Sequence, residues 1–507
     1  MTTDPTFRFN LSPPRLPAAE ASEKMIDAAN TFKVKGRVAG VTGETIEIEG
    51  MTAPMGAICS LHPRDGRVSR GRVIGFRGVR PILAPMEHIE SLAAGDPVRL
   101  IDHNLTLRVG DSLCGRVIDA FGQPIDGKPL PKDLVTGEAD RQPPNSLDRP
   151  SIDEPLQTGV RAIDTMLTCG KGQRVGIFAG SGVGKSTLLG MLARGTSADR
   201  IVIGMVGERG REVQDFLTRS LGEEGFRRSV VVVATSDRPA AQRVSAAWTA
   251  TAVAESFRDE GKDVLLLLDS VTRFAMAQRE LGLAVGEPPT TRGYPPSVFN
   301  MLPRLVERTG RTNRGSITAF YTVLVEGDDN NEPIADTLRG LLDGHIMLSR
   351  KLAAESHWPP IDVLESLSRL QPHLISDEMS KATALARRHL SEYRQHADLI
   401  SIGAYRAGSD PRVDAAIGFR EPLRELLIQD SAEIAAISQS QARLVQLVSS
   451  PVAVGETAGN QLASNQQTQA AAQKAAIQQA LAQQQAAQQQ AAQQQAAQQQ
   501  QTAATKS

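Results

Sequence analysis

Residues 173–186 read QRVGIFAGSGVGKS, an apolar strand that runs directly into a glycine-rich turn closed by Lys185 and Ser186. Gly180, Gly182 and Gly184 open backbone conformations closed to residues with a Cβ, so consecutive N–H groups can converge on phosphate oxygens. Lys185 is placed to reach the β- and γ-phosphates of a triphosphate, and the Ser186 hydroxyl to ligate Mg²⁺. The helix-prone run Thr187–Arg194 then sets a helix N-terminus against the anion. Ala179 stands where the pattern usually has its first glycine, and a residue this small still fits. The expected nucleotide-binding loop is therefore Gly180, Ser181, Gly182, Val183, Gly184, Lys185, Ser186 and Thr187, with ATP and Mg²⁺ as its ligands.

The rest of the chain is organised around this loop. Residues 1–30 are rich in Pro and Ala and read as an arm. From 31 to 100, short β-prone runs (VKGRVAGV, TIEIEG, GRVIGFRG, PVRLI) separated by Gly and Pro predict a small antiparallel barrel. Residues 101–150 read as a connecting region with Gly and Pro turns. Residues 151–375 alternate wholly apolar strands with helical segments, the pattern of a mostly parallel sheet covered on both faces. Residues 376–450 read as helices, including one long helical run over 421–447. Residues 451–507 hold only Glu456, Lys474 and Lys506 as charges and end in (L/A)AQQQ pentads over 481–500. A five-residue repeat rotates around a 3.6-residue helix and builds no apolar stripe, so this low-complexity tail has little to bury. The fold class is α/β: an N-terminal β-barrel, a P-loop domain, a C-terminal helical domain and the tail.

Composition narrows the function classes. With 56 Lys and Arg against 57 Asp and Glu, no global basic field steers the chain toward nucleic acid or acidic lipid. Cys59, Cys114 and Cys169 show no metal-ligand spacing and fit a reduced, cytoplasmic setting. No stretch approaches the roughly 20 apolar residues that a transmembrane helix needs.

Three features point from phosphate binding to hydrolysis. The apolar run Val264–Leu268 ends in Asp269, a strand-end carboxylate suited to the Mg²⁺ hydration shell. The strand Ile201–Val206 leads into Gly207, Glu208 and Arg209. Glu208 at that edge can orient or deprotonate water, with Arg209 fixing its geometry or contacting phosphate; spacing alone fits a strand-end salt bridge equally well. Arg369 closes PPIDVLESLSR, where it reads either as a surface charge or as a finger entering a neighbouring subunit's site.

GRVIDAFGQPIDG (115–127), QTGVRAIDTMLTCGKGQRVGIFAGSGVGKS (157–186), GERGREV (207–213) and LLLLDSVTRFAMAQRE (265–280) resemble the α/β family of hexameric rotary ATPases, and within it the flagellar type III protein-export ATPases. GEPPTTRGYPPSVF (286–299), GDDNNEPIADTLRGLLDGHIMLSR (327–350) and HWPPIDVLESLSR (357–369) continue the match, so the likeness spans roughly 30–445. The resemblance implies a RecA-like central domain. It makes Lys185 and Ser186 the phosphate lysine and Mg²⁺ ligand, and Glu208 the water-polarising carboxylate with Arg209 beside it. Asp269 becomes the Mg²⁺-shell acid, Arg273 an arginine near the γ-phosphate, and Arg369 the arginine supplied across the subunit boundary. Trp358 falls where relatives carry a tyrosine that packs on adenine, and an indole stacks there as well.

Because one chain holds both Glu208 and Arg369, identical subunits can complete each other's sites, and a homohexamer is expected. The resemblance further implies a stator-like regulator on the arm. It puts a coiled-coil stalk protein against the 286–297 loop through Arg292 and Tyr294, and export chaperones and a membrane export gate at the C-terminal helices. The expected location is the cytoplasm, peripheral to the inner-membrane export apparatus. A virulence secretion ATPase and a rotary synthase subunit are the nearest alternatives, and GAYRAGSDPRVDAAI (403–417) favours the flagellar branch. A hexameric RNA translocase needs aromatic platforms for bases. No Tyr or Trp precedes Trp248, and the barrel offers only Phe32 and Phe76, so no nucleic-acid partner is expected.

Overall fold

The computed structural model describes residues 35–325 and 332–450. The arm, the tail and residues 327–331 of the GDDNNEP motif lie outside the described residues. Six strands, Lys35–Thr42, Thr45–Glu49, Ile58–Leu61, Ser69–Arg77, Arg80–Pro85 and Pro97–Asp102, close into an antiparallel barrel. Alternate residues turn inward to a core that includes Val38, Ile48, Leu61, Val73, Leu83 and Val98. Two of these strands, Ile58–Leu61 and Arg80–Pro85, carry no signal in the sequence: the first has four residues and the second has a proline near each end.

The central sheet has nine strands. Its path runs Ile361–Ser368, Gly344–Leu348, Arg174–Ala179, Ser316–Leu324, Asp263–Asp269, Arg200–Val206, Ser229–Ala234 and Arg116–Asp119, with Gly310–Arg311 paired beside Ser316–Leu324. All pairs along the path are parallel except Gly344–Leu348 with Ile361–Ser368. Strand Asp263–Asp269 shows why no two-residue period appears in its sequence. Val264, Leu266 and Leu268 pack into the core on one face with Phe257 and Phe274, while Leu265 and Leu267 pack into the other with Leu188 and Ile203. Each such side chain contributes roughly 1.5–3 kcal/mol of burial.

Two segments depart from their sequence reading. The stretch expected to connect the barrel to the sheet supplies the edge strand Arg116–Asp119 and a two-stranded antiparallel sheet, Thr106–Val109 with Val135–Glu138. The helical run expected over 421–447 breaks: helices Asp377–Ser401, Pro411–Leu427 and Ile437–Ser449 are separate, and 428–436 forms an irregular link between the last two. Their starts are built as the sequence suggests. Ser376 and Asp410 accept backbone N–H bonds as N-caps, and Pro411 takes the first turn where its missing N–H costs nothing. Among the described residues, no helix is long and apolar enough to cross a membrane.

Candidate active site

The parallel strands align their C-terminal ends at one edge of the sheet. Ala179 ends the strand that feeds the glycine loop, Asp269 pairs with Met205 across the ladder, and Glu208 follows Val206 by two residues. The loop needs its glycines for reasons visible around it. Gly182 and Gly184 have φ of 77° and 87°. A Cβ on Gly180 would come within 2.6 Å of Arg350 Nη2, and one on Gly184 within 2.6 Å of Trp358 Cζ3. Val183 is buried and pins the loop, Ser181, Gly182, Ser186 and Thr187 are exposed, and helix Lys185–Gly195 starts at its end.

Lys185 draws the two carboxylates together. Its Nζ lies 2.5 Å from Asp269 Oδ1 and 3.2 Å from Glu208 Oε1. Asp269 Oδ1 also accepts from the Thr322 hydroxyl at 2.7 Å. Arg273 Nη1 stands 3.2 Å from Glu208 Oε2 and donates to the Gly207 carbonyl. The Ser270 hydroxyl caps the helix that carries Arg273, accepting the Arg273 N–H. Glu208 and Asp269 are only 2% and 3% exposed. Burial pushes the Glu208 carboxyl above its ordinary value, against the pull of Lys185, and a hydrogen bond with Glu212 adds to the rise. Burial alone would lower the Lys185 amine, but Asp269 and Glu208 outweigh it and hold it raised. The result is a charge-balanced cluster of two cations and two anions, with a raised carboxyl beside the glycine loop. That combination is characteristic of groups poised for proton transfer.

The other expected residues separate into those beside the loop and those away from it. Trp358, 40% exposed, sets its six-membered ring against Gly184. The Arg209 side chain is 79% exposed and stands 3.7 Å from Glu212, outside the cluster. Arg209 occupies the N-cap position of helix Gly210–Asp215 with extended backbone and makes no side-chain capping bond there. Arg369 lies at the opposite edge of the sheet. Ser368 pairs with Gly344 at the start of its strand, Arg369 N–H donates to Asp343 O at 2.9 Å, and its guanidinium donates to Arg339 O at 3.1 Å. Tyr294 corrects an expectation. It is only 4% exposed, with its ring edge-on to Phe299 at 6.3 Å, so it packs within its own chain, whereas Arg292 is exposed.

Sequence reasoning missed Thr322 and Arg350. Thr322 lies in the strand-forming run ITAFYTVL, but Thr318 and Tyr321 share that run, so the sequence alone does not single it out. Arg350, which packs on Gly180, closes a quoted motif but carries no spacing that marks a role.

The nucleotide-binding domain model of the ATP synthase alpha/beta family matches residues 159–368, and the C-terminal domain model of the type III secretion ATPase EscN matches 375–446. The flagellum-specific ATP synthase of Bacillus subtilis is 51% identical over 427 residues, covering 84% of this chain and 98% of that protein. The chain belongs to the ATP synthase alpha/beta family. Within the family, the flagellum-specific ATP synthase of Salmonella typhimurium is 48% identical over 422 residues, 81% of this chain and 92% of that protein. The type 3 secretion system ATPase of Xanthomonas euvesicatoria is 47% identical over 402 residues, 79% and 91% of the two chains. The assembled ATPase EscN of enteropathogenic E. coli superposes with a TM-score of 0.78 at 44% identity, covering 82% of this chain and all of that one. EscN in complex with its central stalk EscO gives 0.75 at 43% identity.

Proposed function

We propose that this chain hydrolyses Mg²⁺–ATP in a homohexameric ring that serves type III export of flagellar proteins. The observation that carries the reading is the placement of Lys185, Glu208 and Asp269 at one sheet edge, with Arg369 at the other. The six-residue strand Arg174–Ala179, roughly 20 Å at 3.3 Å per residue, separates the two edges, so Arg369 is out of reach of its own loop. Any γ-phosphate it touches belongs to another copy.

In this reading the loop N–H groups and Lys185 hold the β- and γ-phosphates, and Trp358 stacks on adenine. Ser186 and Asp269 form an oxygen donor set suited to Mg²⁺, a hard cation that prefers one or two protein ligands plus phosphate. Bound there, Mg²⁺ would supply positive charge against the phosphate oxygens. Glu208 orients a water and takes its proton as the water oxygen bonds to the γ-phosphorus and the β,γ-bridging bond breaks. Arg273 and the neighbour's Arg369 face the developing charge. Phosphate binding draws Lys185 from the carboxylates, which frees Glu208 for the water.

The flagellar assignment follows the flagellum-specific relatives and the Gly-Ser-Asp-Pro turn at 408–411. Ring partners extend the reading: a stator-like regulator on the arm, a coiled-coil stalk at the 286–297 loop through Arg292, and export chaperones and the membrane gate at the C-terminal helices. The ring then works in the cytoplasm at the export apparatus. Turnover of ATP by wild type against Glu208→Gln tests the hydrolytic reading, and unchanged turnover would reject Glu208 as the base.

A further inference from the structure

Gln429 lies in the 428–436 link, just past helix Pro411–Leu427. It is 2% exposed, and its side-chain amide is fully engaged. Oε1 accepts the Arg161 N–H at 2.8 Å, and Nε2 donates to the carbonyls of Gly159 at 2.8 Å and Glu433 at 2.9 Å. Its backbone N–H donates to the Trp358 carbonyl at 2.8 Å. Arg161 braces the same link, donating from Nε to Leu426 O at 2.8 Å and from its other nitrogens to Ile428 O and the Glu433 carboxylate.

The two segments held by Gln429 cover opposite ends of the P-loop helix Lys185–Gly195. Trp358 lies against Gly184, which caps its N-terminus. Gly159, at φ 78°, packs on Gly195 at its C-terminus, so closely that a Cβ would come 2.5 Å from Gly195 Cα. One residue of the C-terminal helical domain thus joins the strap over the loop to the turn under the helix. An apolar contact would glue the domains as firmly, but a buried amide with every group paired also fixes position: a shift of the amide leaves the Arg161 N–H without its acceptor and takes from the Gly159 carbonyl one of its two donors, the other being the Ala435 N–H at 3.2 Å. The neighbouring His357 does not share this task. Its Nε2 is buried with no hydrogen-bond partner among the described residues.

We propose that Gln429 is a positioning residue for the nucleotide base: its side-chain amide fixes where the 428–436 link lies, so that its backbone N–H, which holds the Trp358 carbonyl, sets where the indole lies over Gly184 and ties base affinity to the C-terminal helical domain. The proposal rests on Trp358 being the base platform. Ligands that move the 428–436 link would then change ATP affinity without touching the phosphate site.

The test is a double-mutant cycle on the full-length chain, with kcat and KM for ATP measured for wild type, Gln429→Leu, Trp358→Ala and the double variant. Gln429→Leu is expected to raise KM about tenfold and to change kcat by less than about twofold, a loss of binding rather than of chemistry. In the Trp358→Ala background it should add less than about twofold to KM. Affinity for tripolyphosphate, which has the phosphates and no base, should not change. An equal rise in KM with and without Trp358, or a parallel loss of tripolyphosphate affinity, would overturn the proposal by making Gln429 a general support of the P-loop. If the leucine variant fails to fold, Gln429→Glu keeps the acceptor for Arg161 N–H, removes both donors and is read in the same way. A Trp248→Phe background leaves Trp358 as the sole tryptophan. There, Gln429→Leu should shift Trp358 emission without nucleotide, and unchanged emission would count against the tether. A Trp358→Ala chain with wild-type KM also overturns the proposal, while ATP hydrolysis, tested through Glu208, would stand.

Discussion

Two buried charge clusters in this chain look alike in burial and differ in how they are closed. Arg308 and Glu255 are each 1% exposed and meet fork to fork, at 2.9 Å through Nε and 2.6 Å through Nη2. The remaining guanidinium nitrogen, Nη1, donates to Ala139 O at 2.8 Å, and Trp248 covers the group with its ring centroid 5.4 Å away. Lys185 instead divides one ammonium between Glu208 and Asp269, beside a glycine loop exposed at Ser181 and Gly182. A planar fork saturates its partner, whereas an ammonium on a flexible stem can exchange carboxylates for phosphates with little rearrangement. Burial of charge therefore does not mark the active site by itself. What marks it is a pairing that an arriving anion can replace.

Of the two clusters, removing the carboxylate of the open one should have the larger effect on turnover. Glu208→Gln is expected to lower ATP turnover by about 10²–10⁴ and to leave nucleotide affinity within a few-fold, read from steady-state kinetics and ADP titration. The closed cluster should respond in the opposite way. Glu255→Ala leaves Arg308 charged and unpaired in the core, and a destabilisation of about 3–5 kcal/mol is expected with little change in KM. Denaturant unfolding beside kinetics separates the two, and a Glu255 variant that lost turnover at full stability would erase the distinction.

A smaller effect should appear in the pH profile. Burial raises the Glu208 carboxyl above the ordinary 4.5, so folding favours its protonated form and its ionisation costs stability as pH rises through the folded value. For turnover the sign reverses, because the base must be ionised. Activity should fall on acidification at a pH above 4.5, and the residual activity of Glu208→Gln should lack that limb. A limb at or below the ordinary value would mean that another group gates the reaction.

Much of this was legible in the sequence. The glycine loop, Asp269 and Glu208 each follow an apolar strand, and parallel pairing brings such strand ends to one edge. The barrel was visible from its spacing and turns, although two of its strands were too short or too proline-bounded to read. What escaped depends on tertiary neighbours. Nothing in the spacing says that Arg350 leans on Gly180, or that Arg209 takes an N-cap position outside the cluster. The family resemblance put Tyr294 against a stalk protein, yet Phe299 offers its ring an internal partner. Gln429 was hidden inside a run whose composition is helical throughout, and only the break at 428–436 gives it a role.

The central claim is that each site is shared between like subunits: Glu208 beside the glycine loop, Arg369 from the far edge of a neighbour. Glu208→Gln and Arg369→Ala chains are each expected to form rings with little turnover, the arginine finger being worth about 10³–10⁵ in rate. Mixed and co-assembled, with ring composition verified by native mass, they should recover activity at interfaces that pair an intact Glu208 with an intact Arg369. Recovery that scales with the fraction of such interfaces is the predicted result. Verified mixed rings with no more turnover than either parent would contradict it.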